Sequence, residues 1–177
     1  MPTTPAYDLP YPAPSSTPDV PFDLQALAEA VETRLGDALV KPAAVLTRSS
    51  QTAVGNVGYQ KIPLNASEVN RGGMGSTVTS RITATRAGLY LVSGCVAFSS
   101  SASGVRYSAI YKNGTIVRFV TGPAASGGPT AYALTFPLEL AVGDYLELYG
   151  VQNTAGTLDT QSTPHGATYL SAVFQED

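Results

Sequence analysis

"GVRYSAIYKNGTIVRFV", residues 104–120, sets the terms on which the rest of the chain is read. Valine, isoleucine, tyrosine and phenylalanine populate both arms, and Asn113-Gly114 lies between them. Both of those residues accept positive φ, as a two-residue hairpin requires, so two antiparallel strands are predicted around them. The same texture begins at Ala43 and runs to the C-terminal end. "AAVLTRSS", "VGYQKIPLN", "STVTSRITATRAG", "LYLVSGCVAFSS", "TAYALTFPLELAVGDYLELYGVQN" and "TYLSAVFQED" are rich in β-branched and aromatic residues and are punctuated by Gly, Asn and Ser. Short strands at this spacing, with no second helical period, predict an all-β sandwich or barrel. Gly143-Asp144 is expected to make a second hairpin turn, between Leu138–Leu140 and Tyr145–Leu148. "SGGPT" at 126–130 and "NTAGTLDTQSTPHG" at 153–166 read as loops.

Alternation assigns faces in the late strands. In "DYLELYGV", Tyr145, Glu147 and Tyr149 share one side, and Leu146, Leu148 and Gly150 the other. In "TYLSAVFQ", Tyr169, Ser171 and Val173 oppose Leu170, Ala172 and Phe174. Ten tyrosines against no tryptophan imply many half-buried rings whose hydroxyls reach water or a neighbouring subunit.

Upstream the composition differs. Seven of the thirteen prolines fall in the first 21 residues, interspersed with Tyr7, Leu9, Tyr11 and Val20. Its prolines lead to an expectation of polyproline-type and turn geometry, and its tyrosines and leucine set it apart from a slack Gly/Ser linker. In "PFDLQALAEAVETRLGDALV", residues 21–40, Leu24, Leu27, Ala28, Val31, Leu35 and Leu39 recur at spacings of three and four. That spacing predicts an amphipathic helix, with Pro21 in its first turn, Asp19 or Asp23 serving the exposed N–H groups, and Pro42 ending it. A helix this short needs a partner for its stripe, either the β domain or copies of itself in a parallel bundle.

Charge is sparse, at 13% of residues with a net of −3, and no Lys/Arg cluster occurs, which argues against nucleic-acid binding. No apolar run approaches the roughly 20 residues that span a bilayer, and the N-terminus lacks a secretory signal pattern. Exit from the producing cell is therefore expected by another route, such as host lysis. The single cysteine, Cys95, leaves no partner for an intrachain disulfide and reads as a small buried hydrophobe.

Catalytic patterns are weak throughout. One histidine, His165, sits in a loop, short of any triad or zinc set. No G-x-S-x-G elbow occurs, and "RGGMGSTVTS" lacks the lysine of a phosphate cradle, so its glycines read as a loop before a strand. Glu139 and Glu147 flank one predicted turn and form the only acid pair worth testing for glycoside hydrolysis. Asp144 reads as turn chemistry, and Asp159 lacks the ligand-dense loop that calcium needs. No catalytic residue, metal site or cofactor is assigned.

Three pieces, in order, resemble the trimeric jelly roll of the complement globular-head and tumour necrosis factor families. "ATRAGLYLVSGCVAFSS" resembles the strand led in by a glycine and an aromatic, with Gly88 and Tyr90 at the matching places. "YSAIYKNGTIV" resembles the strand pair around Asn-Gly. "LELAVGDYLELYGVQNTAG" with the terminal "TYLSAVFQ" resembles the late Gly-Asp hairpin and closing strand. The likeness spans about 135 residues; a collagen-like stalk is absent, and a short helix stands in its place. The front, "LPYPAPSSTPDVPFDLQALAEAVETRLG" within residues 7–36, resembles the N-terminal region of tail or fibre-type structural proteins of bacteriophages that infect actinobacteria. Phages also carry complement-type jelly rolls as knobs on fibres and capsid decorations.

Together the resemblances imply an antiparallel jelly-roll sandwich preceded by an extended arm and one helix, with the arm at 1–20, the helix at 21–41 and the knob at 42–177. They imply a non-enzymatic homotrimer on a phage virion, made in the host cytoplasm. Its partners would be itself, other tail or capsid proteins, and a host cell-surface glycan or protein, without nucleic acid or membrane insertion. Tyr7, Leu9, Pro10, Tyr11 and Pro12 would anchor it; Leu24, Leu27, Ala28, Val31 and Leu35 would pack about the threefold. Tyr145, Tyr149, Tyr169 and Phe174 are candidates for core or trimer contacts, and loops 99–104, 121–130 and 153–166 for host contact. A capsid decoration with a mainly stabilising role, and a tail-borne glycan-degrading enzyme, are the alternatives.

Overall fold

The computed structural model describes residues 20–39, 41–56, 58–161 and 168–176. The chain divides into two compact units, Met1–Lys41 and Pro42–Asp177. Of the first, the described part is one helix, α1 (Val20–Leu39), close to the expected span, with Asp23 in its first turn. Leu24, Leu27, Ala28, Val31 and Leu35 are all solvent-exposed along it. Gln25 donates to Glu29 one turn on, and the Thr33 hydroxyl donates back to the Glu29 carbonyl. The five arm positions Tyr7, Leu9, Pro10, Tyr11 and Pro12 lie outside the described residues, as does His165.

The second unit is a two-sheet antiparallel sandwich. One sheet contains, in spatial order, β10 (Thr130–Leu140), β7 (Gly88–Phe98), β13 (Tyr169–Glu176), β1 (Ala43–Thr47) and β4 (Ala66–Arg71). The other runs β5 (Gly75–Ser76), β6 (Arg81–Thr83), β11 (Tyr145–Gln152), β8 (Val105–Lys112), β9 (Thr115–Pro123), and β3 (Gln60–Lys61) also pairs with β11. A small ribbon joins β12 (Leu158–Asp159) to β2 (Ala53–Val54).

Between the sheets the inward halves of the alternating strands interdigitate: Leu46, Ile62, Ile82, Tyr90, Val92, Val96, Phe98, Ile110, Leu146, Leu148, Leu170 and Phe174 are buried. At about 25 cal/mol per Å² of apolar surface removed from water, this layer is the main source of stability. Gly94 belongs to it, because a Cβ there would lie 3.0 Å from Ile110 Cδ1 and 3.2 Å from Leu148 Cδ1. The sheets approach too closely at that point for a side chain.

Asn113-Gly114 forms the expected two-residue turn, with φ of 52° and 78° and Lys112 opposite Thr115. The second expected hairpin does not form. Strand β10 pairs with β7 in one sheet and β11 pairs with β8 and β6 in the other, so Gly143-Asp144 carries the chain between sheets. A two-residue turn signal does not specify which sheet the following strand enters, and β11 takes the place between β6 and β8. Pro137 lies within β10, an edge strand, where a missing N–H is tolerated. Strand β4, "ASEVNR", drew no expectation, because its Ser, Glu and Asn suit a solvated edge and hide it from β propensity.

Candidate binding faces

The alternation seen in the late strands holds. Leu146 and Leu148 point inward from β11, and Leu170, Ala172 and Phe174 from β13, leaving the other set outward. Each sheet therefore has an outer face, and the two faces differ.

On the first sheet the outward row Thr135–Ser93–Ser171–Val45 crosses β10, β7, β13 and β1, and Pro137–Leu91–Val173–Ala43 runs beside it. Ala133, Cys95 and Tyr169 form a third row. Strands β7 and β1 and the stretch 169–173 of β13 place no Asp, Glu, Lys or Arg on this face; Glu139 and Arg71 stand at its margins, and Glu176 pairs with Leu89 at the end of β13. Leu91 is 42% exposed and Val173 37%. The polar groups satisfy one another: Thr135 donates to Ser93 at 2.8 Å, and Ser93 shares a hydrogen bond with the Tyr169 hydroxyl at 3.1 Å. Cys95 is buried, and loss of water pushes its thiol up to about 11.

The outer face of the second sheet is aromatic and charged. Tyr107, Ala109 and Tyr111 point outward from β8, and the Tyr59 ring contacts both tyrosines edge-on, at 6.2 and 6.0 Å between centroids. Ala109, opposite Phe119 and between the two tyrosines that Tyr59 touches, is fully buried. Tyr111 stacks on Tyr149 at 4.0 Å, and Phe119 flanks Tyr107 at 6.1 Å.

Beside the rings lies Glu147, its side chain only 4% exposed, accepting from Lys61 Nζ at 2.5 Å and from Arg81 Nε at 2.7 Å through one oxygen. Burial alone would raise its pKa, but the two cations outweigh that and hold it below the usual carboxylate range. The Arg81 guanidinium lies 4.0 Å above the Tyr145 ring.

The four aromatic trimer candidates therefore do not share a surface. Phe174 is in the interior, edge-on to Tyr90 at 5.3 Å. Tyr169 is on the outer face of the first sheet, and Tyr145 and Tyr149 are on that of the second. Nor do Glu139 and Glu147 form an acid pair, since they stand on different sheets and Glu147 is committed to two cations. Among the described residues no three His, Cys, Asp or Glu side chains converge.

The three loop candidates do come together at one end. Ala124 donates to the Gly104 carbonyl, Val105 N–H to the Asn153 side chain, and Ser99 N–H to the Asp159 carbonyl. The middle loop is shorter than expected, as β9 extends to Pro123 and β10 starts at Thr130. Beneath it the Tyr132 hydroxyl donates to the Pro123 carbonyl while its ring occupies the space over Gly122. Arg106, 1% exposed and without a carboxylate partner among the described residues, braces this end by donating to the Ser101 and Val105 carbonyls, its guanidinium 5.8 Å from the Phe98 ring. At the other end Asp144 joins the two turns. It accepts from Lys112 at 2.7 Å, the Asn113 amide at 2.7 Å and Ala141 N–H at 2.8 Å, which together hold its pKa down at about 2.

Solved structures share this architecture. Murine APRIL superposes with a TM-score of 0.60 at 15% identity, over 76% of this chain and 99% of that one. Eiger TNF from S. frugiperda does so at 0.55 and 16% identity, over 78% and 94%. The β unit has the TNF-like jelly-roll fold. No family model matches the chain, and no curated protein sequence does.

Proposed function

We propose that this protein is a non-enzymatic, homotrimeric structural component of a bacteriophage virion, held to the particle through residues 1–20 and presenting the jelly-roll knob to the host surface. The observation that carries the reading is the outer face of the first sheet, where Leu91, Val173, Val45, Ala43 and Pro137 lie together without an intervening charge. An exposed, uncharged, partly apolar sheet face is the surface that self-association covers. Packing it around a threefold axis closes a ring of three copies, and the exposed stripe of α1 would close a short parallel bundle in the same assembly. The phage setting is supported by the resemblance of residues 7–36 to phage tail and fibre proteins.

Two measurements test this. Light scattering on the purified chain is expected to return three times the monomer mass, and a monomer would end the trimer reading. Deletion of residues 1–21 is expected to abolish attachment to purified phage tails or to purified capsids. Loss at tails assigns a fibre role, loss at capsids a decoration role, and attachment unchanged at both overturns the anchor.

A further inference from the structure

We propose that the outer face of the second sheet is a binding site for carboxylate-bearing saccharides, with Arg81 as the carboxylate fork and the neighbouring tyrosines as the stacking surface. The inference gives the adhesion reading a ligand of definite chemistry and rests on that reading for its biological setting, whereas binding itself is a property of the isolated chain.

Arg81 is built as a receptor. Its Nε is tied to Glu147 and its Cζ lies over the Tyr145 ring, so the guanidinium is held at two points. Its terminal nitrogens make no hydrogen bond among the described residues, and the side chain is 38% exposed. A guanidinium with its Nε occupied still offers two parallel donors to a carboxylate, and pre-positioning removes most of the ordering cost. The charge balance has the matching sign: Lys61 and Arg81 face one carboxylate, Glu147, which leaves one positive charge in excess on this patch.

The rings favour a sugar over a bare anion. Tyr59, Tyr107, Tyr111, Tyr145 and Tyr149 offer apolar ring surface and phenolic hydroxyls side by side, matching the apolar C–H faces and hydroxylated edges of a pyranose. Tyr59 at 41% and Phe119 at 55% exposure keep that surface open. From Phe119 on β9 to Arg81 on β6 the face crosses four neighbouring strands, about 14 Å at the usual strand spacing, so it suits an oligosaccharide better than one ring. It also lies on the opposite side of the sandwich from the face assigned to self-association, so both can be used at once.

The test is calorimetric titration of the full chain with oligogalacturonate, a sialylated oligosaccharide, a neutral malto-oligosaccharide of similar length and polyglutamate. At least one of the two carboxylate-bearing sugars is expected to bind, at least about tenfold tighter than the neutral sugar, as a charge-assisted hydrogen-bond pair provides. Arg81→Ala and Phe119→Ala are each expected to weaken binding by about tenfold while circular dichroism and the light-scattering mass stay unchanged. Phe119 is exposed, so its variant reads the surface rather than the fold. The site is overturned if neither acidic sugar binds, if the neutral sugar binds equally, or if Arg81→Ala binds like the parent. Equal or tighter binding of polyglutamate overturns it in favour of an acidic-peptide surface. Failure of the adhesion reading is distinguishable: a chain that binds the sugar but does not adsorb to host cells keeps the site and loses the adhesin.

Discussion

On the first sheet, the row Thr135–Ser93–Ser171–Val45 crosses four strands with small neutral side chains; Thr135 donates to the Ser93 hydroxyl, and the Ser171 hydroxyl to the Ser93 carbonyl. On the second, the row Arg81–Glu147–Tyr111–Ile116 crosses four strands with an ion pair and exposed carbon. Both rows come from the same period-2 alternation, and both lie on the outside of one sandwich. They differ in what water must do there. A face that another copy will cover has to shed its hydration cheaply, and neutral groups already paired within the face do so. A face that stays wet can keep Arg81 and Lys61 half-exposed, with the one buried carboxylate compensated by both.

The largest effect expected from breaking this contrast is on assembly. Leu91→Asp places a carboxylate at a position that tolerates it in the monomer but is desolvated in the proposed trimer, at several kcal/mol per copy without a partner cation. Light scattering is expected to drop from trimer to monomer mass. Phe119→Asp, at a somewhat more exposed position on the other face, is expected to leave the mass unchanged. If both variants remain trimers, the two faces are not assigned as argued above.

Next is Glu147→Gln. The amide keeps the shape but leaves Lys61 and Arg81 facing a neutral group, one of them still donating to the Thr79 carbonyl. A loss of about 2–3 kcal/mol at pH 7 is expected from the urea midpoint, near the value for a hydrogen-bonded charge removed from partly buried partners.

These two residues also mark what the chain discloses before it folds. The alternation that separates Leu148 from Glu147 is local and survives into the structure, as does the Asn113-Gly114 turn with its two positive φ angles. The role of Glu147 is not local. Its partners are 66 and 86 residues away, and only the meeting of β3, β6 and β11 brings them to it. For the same reason the aromatic residues 145, 149, 169 and 174 invited grouping: period 2 tells which side of its strand a residue takes, but not which sheet the strand enters. The step from β10 across to β11 decided that, and a Gly-Asp turn suits a hairpin and a crossing alike. Strand β4 stayed hidden because an edge can be polar, and the uncharged middle of the first face became visible only once four strands were laid side by side.

A smaller effect is expected at Asp144, which binds the two turns at the end opposite the loops. Asp144→Ala removes bonds to Lys112, Asn113 and Ala141 and is expected to cost about 1–2 kcal/mol. The pH dependence has a definite sign. Its folded pKa is depressed to about 2, below the roughly 4 of an unfolded aspartate, so its contribution is complete above that unfolded value. It is lost as pH falls from about 4 toward about 2, and the variant and parent unfolding midpoints are expected to converge over that interval.

The smallest effect separates the faces by titration rather than by size. Ser93→Ala deletes the acceptor for Thr135 and the partner of Tyr169, two neutral hydrogen bonds on a half-buried face, and about 1 kcal/mol is expected to go with them. None of the three groups changes charge in acid, so that deficit should be the same at pH 7 and pH 3 when measured by urea unfolding at one protein concentration. The deficit of Glu147→Gln should instead shrink as pH falls. Glu147 has its folded pKa below the ordinary carboxylate range, so its ion pairs stabilise the fold above that range and vanish as the carboxylate itself is protonated. Convergence of Glu147→Gln on the parent in acid, with Ser93→Ala running parallel to it throughout, is the expected pair of curves. A Ser93→Ala deficit that disappears in acid would mean that a charge reaches the first face, and the argument that it is built to be covered would fail with it.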